Sequence, residues 1–362
     1  MQFSKRSFAA LAAAGLFWRL SASTPPPPPK NDPAQDSVTR GVHWLVSVQG
    51  KDGGWGQDGG ETSFVRTGER LESGGNDVAN TAVATQALLK AGNTPTKGEY
   101  RTNVRRGIEF ILRSVEDSPQ EGLMITSVTG TQIQRKLGPF IDTFLTSTLF
   151  ADVDGSMGDA ASNQRVRRAL QKVVAKIEQN QQKDGSWNIS GGWAPILGTS
   201  MASRSLDAAR QKGVKVSESA MARVQDYTKK AAAPAAAGRP VASDAAAGVA
   251  LYSSAQALEQ LSRTDKDRKA NAQEIGVITK ELRNERFVNG FGSMGGEEFF
   301  SYLNISDSLH RTGGEEWTRW NNQIKTQLTR LQNQDGTWAG HHCITGRVAV
   351  TGAAIMTMLV ER

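Results

Sequence analysis

The chain has 362 residues, of which 38% are hydrophobic and 22% are charged, and these ordinary fractions indicate a globular protein rather than a fibrous or disordered one. Its formal net charge of +7 includes Lys5, Arg6 and Arg19 of an N-terminal segment that we expect to be removed. The rest of the chain has no long basic run, so nucleic acid is not an expected partner. Cys343 is the single cysteine, which excludes an intrachain disulfide framework.

Residues 1–23 have the three-part layout of an export signal. Lys5 and Arg6 precede an apolar core from Phe8 to Trp18, and small residues follow at Ser21-Ala22-Ser23. The apolar core is too short to cross a bilayer as a mature helix. We therefore expect an exported protein, periplasmic or secreted, with no transmembrane segment in the mature chain.

Three further regions are distinguished by composition. Residues 24–36 contain the run Pro25 to Pro29, which predicts a stiff linker. Residues 37–362 show no second core and are expected to form a single domain. Its least regular part, Lys229 to Gly248, contains two helix-breaking prolines and is interpreted as a surface connection within that domain.

Two kinds of helix alternate along this domain. The first kind has one apolar stripe opposite a charged face and should lie on the outside of the fold. Its stripes are Val38–Val46, Val104–Val115, Val166–Ile177, Ile275–Leu282 and Trp317–Leu331. The second kind is apolar on most faces and should be buried. Its members are Asp77 to Ala91, Ile141 to Phe150, Pro195 to Ala209, Ala242 to Leu261, Glu298 to Leu309 and Ile344 to Val360.

This alternation predicts an all-α (α/α)6 toroid, in which about twelve helices form two concentric rings. A solenoid of helix pairs is the alternative, because it also alternates helices. We favour the closed ring, since the inner helices of a solenoid need a polar concave face that these helices lack. No segment alternates with a period of two over a useful length, so no β-sheet is required.

One heptad occurs three times, each time directly after an outer helix. The copies run from Gln49 to Trp55, from Gln181 to Trp187 and from Gln332 to Trp338, and each contains Asp-Gly. Asp-Gly favours a tight turn because Asp can bond the turn backbone and Gly accepts a positive φ. Gln can satisfy helix-end carbonyls, and Trp can cover the turn with its N–H bonded. The first role of the motif is therefore structural.

These turns resemble the QW repeat of the squalene cyclase and prenyltransferase superfamily. The first copy is the fullest match and begins at Arg40-Gly41-Val42-His43-Trp44-Leu45. The resemblance covers residues 37–362 and implies an (α/α)6 toroid with a central cavity for a small or isoprenoid-like ligand. Because this fold carries cyclases, protein prenyltransferases and thioester domains, it does not identify a reaction.

The motifs of these subfamilies are incomplete here. Class II triterpene cyclases use an Asp-x-Asp-Asp acid, and the nearest run is Asp152-Val153-Asp154-Gly155, in which Gly replaces the last Asp. The Gly-Cys-Gly-Glu-Gln thioester motif is missing. Protein prenyltransferases hold zinc with an Asp-x-Cys pair, and that pair is missing as well. Classical cyclisation is therefore not expected, and whether the chain is an enzyme stays open.

A metal or catalytic site is one interpretation of two segments that ring closure would bring together. By resemblance to the prenyltransferases, Glu297, Glu298, His341 and Cys343 are candidate zinc ligands. His341, His342 and Glu298 are the candidate catalytic residues, as general base or metal ligand. The alternative is structural, with one His capping the turn after Trp338 and Cys343 packed in the ring.

Four further residues are candidate ligand-binding groups. Asp77 and Asn80 begin the first inner helix, where Asp77 is also a plausible N-cap. Trp193 precedes the third inner helix, and Arg347 begins the last one. Packing is the structural alternative for Trp193, and a bond to a carboxylate is the alternative for Arg347.

Three functional hypotheses follow. The first is an exported toroid protein that binds, and as an enzyme would transform, a small or isoprenoid-like ligand near these residues. The second is a non-catalytic binding or scaffolding toroid. The third is a carbohydrate-active enzyme, which requires two facing carboxylates, here Asp77 with Glu297 or Glu298, at glycosidase separation.

Overall fold

The computed structural model describes residues 32–58, 65–66, 69–70, 75–189, 194–241, 249–290 and 294–361. The predicted export signal in residues 1–23 and the candidate residue Trp193 lie outside these ranges. Residues Pro33–Arg362 belong to one compact unit. The first helix begins at Pro33, inside the segment 24–36 predicted as a linker, and proline suits the first turn of a helix.

The described residues form sixteen helices and one short hairpin. The helices are α1 (Pro33–Ser47), α2 (Val78–Lys90), α3 (Arg101–Asp117), α4 (Gln132–Leu137), α5 (Ile141–Val153), α6 (Ala160–Gln179), α7 (Pro195–Gln211), α8 (Glu218–Ala231), α9 (Ala233–Ala236), α10 (Ala250–Leu261), α11 (Asp265–Ala270), α12 (Ala272–Glu281), α13 (Glu285–Val288), α14 (Gly296–Thr312), α15 (Gly314–Leu331) and α16 (Arg347–Met358). In the hairpin, β1 (Val65–Arg66) pairs antiparallel with β2 (Glu69–Arg70), Val65 lying opposite Arg70. The sequence predicted no sheet, and this pairing is confined to two residues per strand.

Six helices form a closed inner ring. Helices α2, α5, α7, α10, α14 and α16 each contact the next, and α16 contacts α2. Helices α1, α3, α6, α8, α12 and α15 each pack against at least one of these six from outside. The predicted all-α toroid with twelve principal helices is therefore confirmed, and α4, α9, α11 and α13 are short connecting helices.

Burial explains why the two helix types differ in sequence. Every residue of α2 from Val78 to Leu88 is buried, because an inner helix contacts the outer ring on one side and the axis of the toroid on the other. In α3, only the stripe that begins at Val104 and ends at Val115 is buried, and the charged face remains in solvent. Within the described part of the chain, no helix has both the length and the apolar character needed to cross a bilayer.

The three repeated turns have the same hydrogen bonds. Each Trp indole N–H donates to a carbonyl near the end of the preceding outer helix, at Leu45, Ile177 or Leu328, and all three N–O distances are 2.7 Å. The predicted capping of helix-end carbonyls is thus done by Trp. Each Gln amide instead donates to the turn glycine and to the next outer helix in the ring, at Asn103, Ala220 or Ser37. The turns therefore join α1 to α3, α6 to α8 and α15 to α1.

Candidate functional site: a buried carboxyl cluster and a central cavity

Helix α4 lies across the N-terminal ends of the inner helices. The side chain of Gln132 accepts a hydrogen bond from the Thr345 N–H at 3.0 Å, just before α16. The backbone N–H of Gln132 donates to the Gln57 side chain at 2.6 Å. The Lys136 carbonyl accepts a hydrogen bond at 2.7 Å from the N–H of Ala194, which lies just before α7. These bonds hold α4 against segments that precede three different inner helices, so this end of the ring is covered.

Two buried aspartates lie beneath α4. Asp77 caps α2, accepting from the backbone N–H and the side-chain amide of Asn80, both at 2.8 Å. Asp142 accepts from the Ala79 N–H at 3.1 Å and from the Gln134 amide at 2.8 Å. Burial raises the pKa of Asp77 to about 6. Burial, reinforced by the charge of Asp77, raises the pKa of Asp142 to about 7. The capping interpretation of Asp77 is confirmed, and sequence reasoning missed Asp142.

Two adjacent glutamates begin α14 on the same covered side. Glu297 and Glu298 are both 0% exposed. Glu298 accepts from the Tyr252 hydroxyl at 3.0 Å and from the Gly295 N–H at 2.9 Å, and burial raises its pKa to about 7. The Cys343 thiol donates a hydrogen bond to the Glu297 carboxylate. Burial, together with the charge of Glu297, raises the pKa of Cys343 to about 12. This pairing favours the protonated thiol.

The two histidines differ in position. A Cβ built on Gly295 would lie 2.6 Å from Cε1 of His342, so the His342 ring is packed over the start of α14. His341 is exposed, and its backbone N–H donates to the Met294 carbonyl at 2.6 Å. The structure therefore brings His342 together with the glutamates, whereas His341 lies at the surface.

The predicted zinc site requires its four candidate ligands to converge on one point. A zinc site needs several ligand groups within reach of one ion. One oxygen of Glu297 is buried without a partner, but both oxygens of Glu298 already accept hydrogen bonds. Among the described residues, no three His, Cys, Asp or Glu side chains are placed to hold one metal ion. The side chains as arranged do not fit the predicted site, and zinc binding by Glu297, Glu298, His341 and Cys343 stays a prediction.

Arg347 lies at a seam of the ring. Its guanidinium forms a bidentate pair with Asp58, at 2.7 and 2.9 Å, and a third bond to Asp335 at 2.9 Å. It also lies over the Trp44 ring, 5.2 Å from the centroid. Of the two interpretations of Arg347, the bond to a carboxylate is confirmed.

A central cavity of about 260 Å³ lies towards the C-terminal ends of the inner helices. Side chains from all six of these helices line it. Its apolar lining is formed by Leu145, Met201, Phe300, Leu303 and Met356. Its charged lining is formed by Lys90, Asp152, Arg204, Asp207, Glu259, Arg263, Asp307 and Arg311. None of the predicted site residues with described side chains lines this cavity, since they lie at the covered end.

Ion pairs order part of the cavity mouth. Arg204 pairs with Asp307, and Arg263 donates twice to Glu259 at 2.9 and 2.8 Å. Arg263 and Glu259 have side chains only 9% and 3% exposed, so each charge needs the other. The pairs fix long side chains where the cavity opens, and they leave the apolar lining beneath accessible.

The incomplete acidic run has one residue in this cavity. The Asp152 side chain faces the cavity, where it accepts a hydrogen bond from the Gln86 amide at 3.3 Å. Desolvation by the surrounding cavity walls raises the pKa of Asp152. Asp154 instead pairs with Arg167 at 2.5 Å. The two aspartates therefore do not act as a pair.

Sequence reasoning missed the cavity residues because it treated the inner helices as uniformly apolar. Arg204, Glu259 and Asp307 are charges on otherwise buried helices, and a charged group is rarely buried without a partner. Their positions in the C-terminal halves of three inner helices were the available signal.

Comparison with known proteins bears on the fold. A family model described as the squalene-hopene cyclase C-terminal domain matches residues 29–135. No curated protein sequence matches the chain.

Solved structures of type II terpene cyclase MstE from Scytonema are similar over almost the whole chain. An arginine-to-alanine variant in complex with geranylgeranyl dihydroxybenzoate, its substrate, has a TM-score of 0.55 at 12% identity, covering 91% of this chain and 97% of that one. An aspartate-to-alanine variant in complex with merosterolic acid A, its product, has a TM-score of 0.53 at 13% identity, covering 91% and 96%. Identity at this level shows a shared fold.

Proposed function

Because the chain has the α/α-toroid fold of the squalene cyclase and terpenoid cyclase superfamily, we propose that it binds a small isoprenoid-like ligand in its central cavity. The apolar chain of the ligand would lie among Leu145, Met201, Phe300, Leu303 and Met356. Its polar end would lie at the charged mouth. The observation that carries the proposal is a cavity on the ring axis, lined by all six inner helices, with both kinds of lining.

Two further facts support this ligand class. A solved relative of the same fold holds geranylgeranyl dihydroxybenzoate, which joins an isoprenoid chain to a polar ring. The volume of about 260 Å³ is near the lower end of the roughly 300–1,000 Å³ range of small-molecule sites. Farnesol, with the shorter chain, is therefore tested beside the geranylgeranyl compound.

The proposal is for binding rather than cyclisation. Protonation of an alkene requires a neutral, shielded carboxylic acid. Glu259 and Asp307 are paired with arginines, which favour their ionised forms. Asp152 has a raised pKa, but it lacks the other acids of an Asp-x-Asp-Asp motif, since Asp154 pairs with Arg167 and Gly155 replaces the last Asp. The chemistry of the mouth thus favours recognition of a polar group.

The test is calorimetric titration of the protein with farnesol and with geranylgeranyl dihydroxybenzoate. Met201→Trp adds bulk to the apolar lining and should weaken farnesol binding by about tenfold or more. Met124→Trp is the matched control, because Met124 is 39% exposed and lies away from the cavity. Leu303→Trp, on α14, repeats the test in case Met201→Trp does not fold.

Two results would overturn the proposal. One is no measurable binding of either compound to the folded wild-type protein. The other is binding that both cavity variants, shown by circular dichroism to be folded, leave unchanged.

We also propose that residues 1–23 direct export of the chain, on the layout of that segment alone. The test is expression with and without the segment, followed by fractionation and N-terminal sequencing of the product. Retention of the intact N-terminus inside the cell would contradict export.

A further inference from the structure

A neutral polar bridge connects α7 to α14 across the inner side of the ring. The Asn304 amide on α14 donates to the Ser200 hydroxyl on α7 at 3.4 Å, and the Asn304 oxygen accepts from Arg204 at 3.1 Å. Asn304 also lines the central cavity. Helix α10 lies between α7 and α14 in the inner ring and contacts both. The bridge therefore passes in front of α10, on the side that faces the ring axis.

Gln256 of α10 lies on the helix face that this bridge covers. It precedes Glu259 by three residues and Arg263 by seven, so these side chains share one face of the helix. Glu259 and Arg263 line the cavity, so this face is directed at the ring axis. Ser200, Gln256 and Asn304 each lie roughly two turns from the start of an inner helix. The geometry thus places Gln256 behind the bridge, at the same height.

The Gln256 amide makes no hydrogen bond within the protein. Gln256 is 0% exposed, and among the residues that the structure describes neither its amide nitrogen nor its oxygen has a partner. By contrast, Gln260 on the same helix donates to the Ser203 hydroxyl of α7. A buried amide without partners destabilises the fold, whereas an apolar side chain of similar size would not. Folding alone therefore does not require an amide at this position.

A buried water molecule is the structural explanation for such a group, since ordered water commonly satisfies buried polar atoms. The bridge in front of Gln256 favours a ligand instead. Its Asn304–Ser200 bond, at 3.4 Å, is longer than a typical N–H···O hydrogen bond and is correspondingly weak. Asn304 faces the cavity, so rotation of its side chain would open a path from the cavity to Gln256.

We infer that the Gln256 amide is a second polar contact for the ligand of the cavity, reached when the Asn304–Ser200 bond opens. The group that it binds is neutral and both donates and accepts hydrogen bonds, as a hydroxyl does, because an amide offers one donor group and one acceptor. A charged group would be buried there beside uncharged Gln256 and Ser200, at a large cost.

This inference rests on the proposed function, because the ligand must occupy the cavity to reach Gln256. It also specifies the ligand class more closely. The ligand is an isoprenoid-like chain that carries a hydroxyl group away from the end held at the charged mouth.

The test compares two probes that share one chain: farnesol and ω-hydroxyfarnesol, which has a second hydroxyl at the opposite end. Each is titrated calorimetrically into wild type, Gln256→Met, Gln256→Leu and Thr85→Val. Thr85 is the matched control, because it is also 0% exposed with an unpartnered hydroxyl. Its hydroxyl faces the outer helix α3, since a Cβ built on Gly107 would lie 2.3 Å from it. Urea unfolding of each variant measures its stability.

Wild type should bind ω-hydroxyfarnesol about fivefold or more tightly than farnesol. Gln256→Met should remove that preference and leave farnesol binding within about twofold, because Met has a similar length but no amide. Its midpoint of urea unfolding should equal or exceed that of wild type, since an unsatisfied buried group is removed. Gln256→Leu repeats the test in case Gln256→Met does not fold. Thr85→Val should keep the preference.

Failure of this inference is distinct from failure of the proposed function. If wild type binds both probes equally well, or if the folded Gln256 variants keep the preference for ω-hydroxyfarnesol, the second contact is wrong and cavity binding stands. A kept preference with a lower unfolding midpoint would assign the Gln256 amide to a buried water. If neither probe binds the folded wild type, the proposed function fails and the inference with it.

Discussion

At the scale of single residues, the recurring Gln and Trp each have one defined task. In the last turn, the Gln332 amide donates to the Ser37 carbonyl at 2.7 Å and to the Gly336 carbonyl at 2.8 Å. Gly336 has a φ of 88°, a conformation that suits glycine, so the turn brings the amide to both acceptors. A single side chain thus fastens α15 to α1, the first and last outer helices of the chain.

Replacing Gln332 with Ala should therefore destabilise the protein by about 1–2 kcal/mol, because two part-buried carbonyls lose a donor. Gln334→Ala is the control, since Gln334 is an exposed residue of the same turn. The measurement is urea unfolding of both variants. Equal stability of the two would show that the bridge contributes nothing.

The Asp77–Asp142 pair predicts a pH dependence of stability. The pKa of Asp142 is raised from 3.8 to about 7 in the folded chain, so the folded state keeps a proton that the unfolded state loses. The stabilising contribution of that proton is complete below the unfolded pKa and is lost as pH rises towards the folded pKa. The shift corresponds to roughly 4 kcal/mol.

Asp142→Asn removes this titration while keeping a side chain of similar shape. Relative to wild type, the variant should therefore become more stable as pH rises from about 4 to about 7. Urea unfolding at several pH values measures the difference, with the exposed Asp226→Asn as control. Parallel pH profiles for wild type and Asp142→Asn would contradict a raised Asp142 pKa.

At the scale of elements, α4 decides which end of the ring is open. It has six residues, and a capping box at Thr131 fixes its start. Its contacts reach segments before α2, α7 and α16 through Gln57, Ala194 and Thr345. Because a short helix contributes little stability by itself, these tertiary bonds hold it in place.

Gln132→Ala should loosen α4 and cost about 1–3 kcal/mol, because the N–H groups of Thr345 and Gly346 lose their shared acceptor. Arg135→Ala, on the exposed face of the same helix, should cost little. Unfolding measurements, with hydrogen exchange at residues 344–346, test both variants. Unchanged exchange in Gln132→Ala would show that α4 is held by other contacts.

At the scale of the whole molecule, stability depends on closing the inner ring between α16 and α2. Gly352 of α16 lies at the contact between these two helices. A Cβ built there would lie 2.5 Å from Cγ1 of Val83 and 3.2 Å from its carbonyl oxygen. The first and last inner helices therefore meet over a position without a side chain.

Gly352→Ala should destabilise the protein by about 1–3 kcal/mol, because the helices must separate or Val83 must move. Gly276→Ala is the matched control, since it is also helical but a Cβ there meets nothing within 4 Å. That control should stabilise the protein by about 0.5–1 kcal/mol through helix propensity. Urea unfolding distinguishes them, and the same sign for both would contradict a tight closure at Gly352.

Local periodicity identified all six inner helices and five of the six outer ones, whereas α8 was not predicted. The stripe from Val104 to Val115 and the apolar run from Asp77 to Ala91 correspond closely to α3 and α2. The ends were less well determined, since α5 continues to Val153, beyond the predicted Phe150. The closed ring is confirmed, but the inner helices are not as uniformly apolar as the sequence analysis assumed. The inner helices do carry axis-facing charges in their C-terminal halves.

The sequence by itself determined a ring of alternating helices joined by three Trp-bearing turns, because both features repeat at short range along the chain. Only the tertiary structure decided where the cavity opens. Residues far apart in sequence, such as Gln132 and Thr345, cover one end. Arg204 of α7, Arg263 just after α10 and Arg311 of α14 line the cavity at the other. No local pattern encodes such meetings, since they depend on how the closed ring orients each helix about its axis.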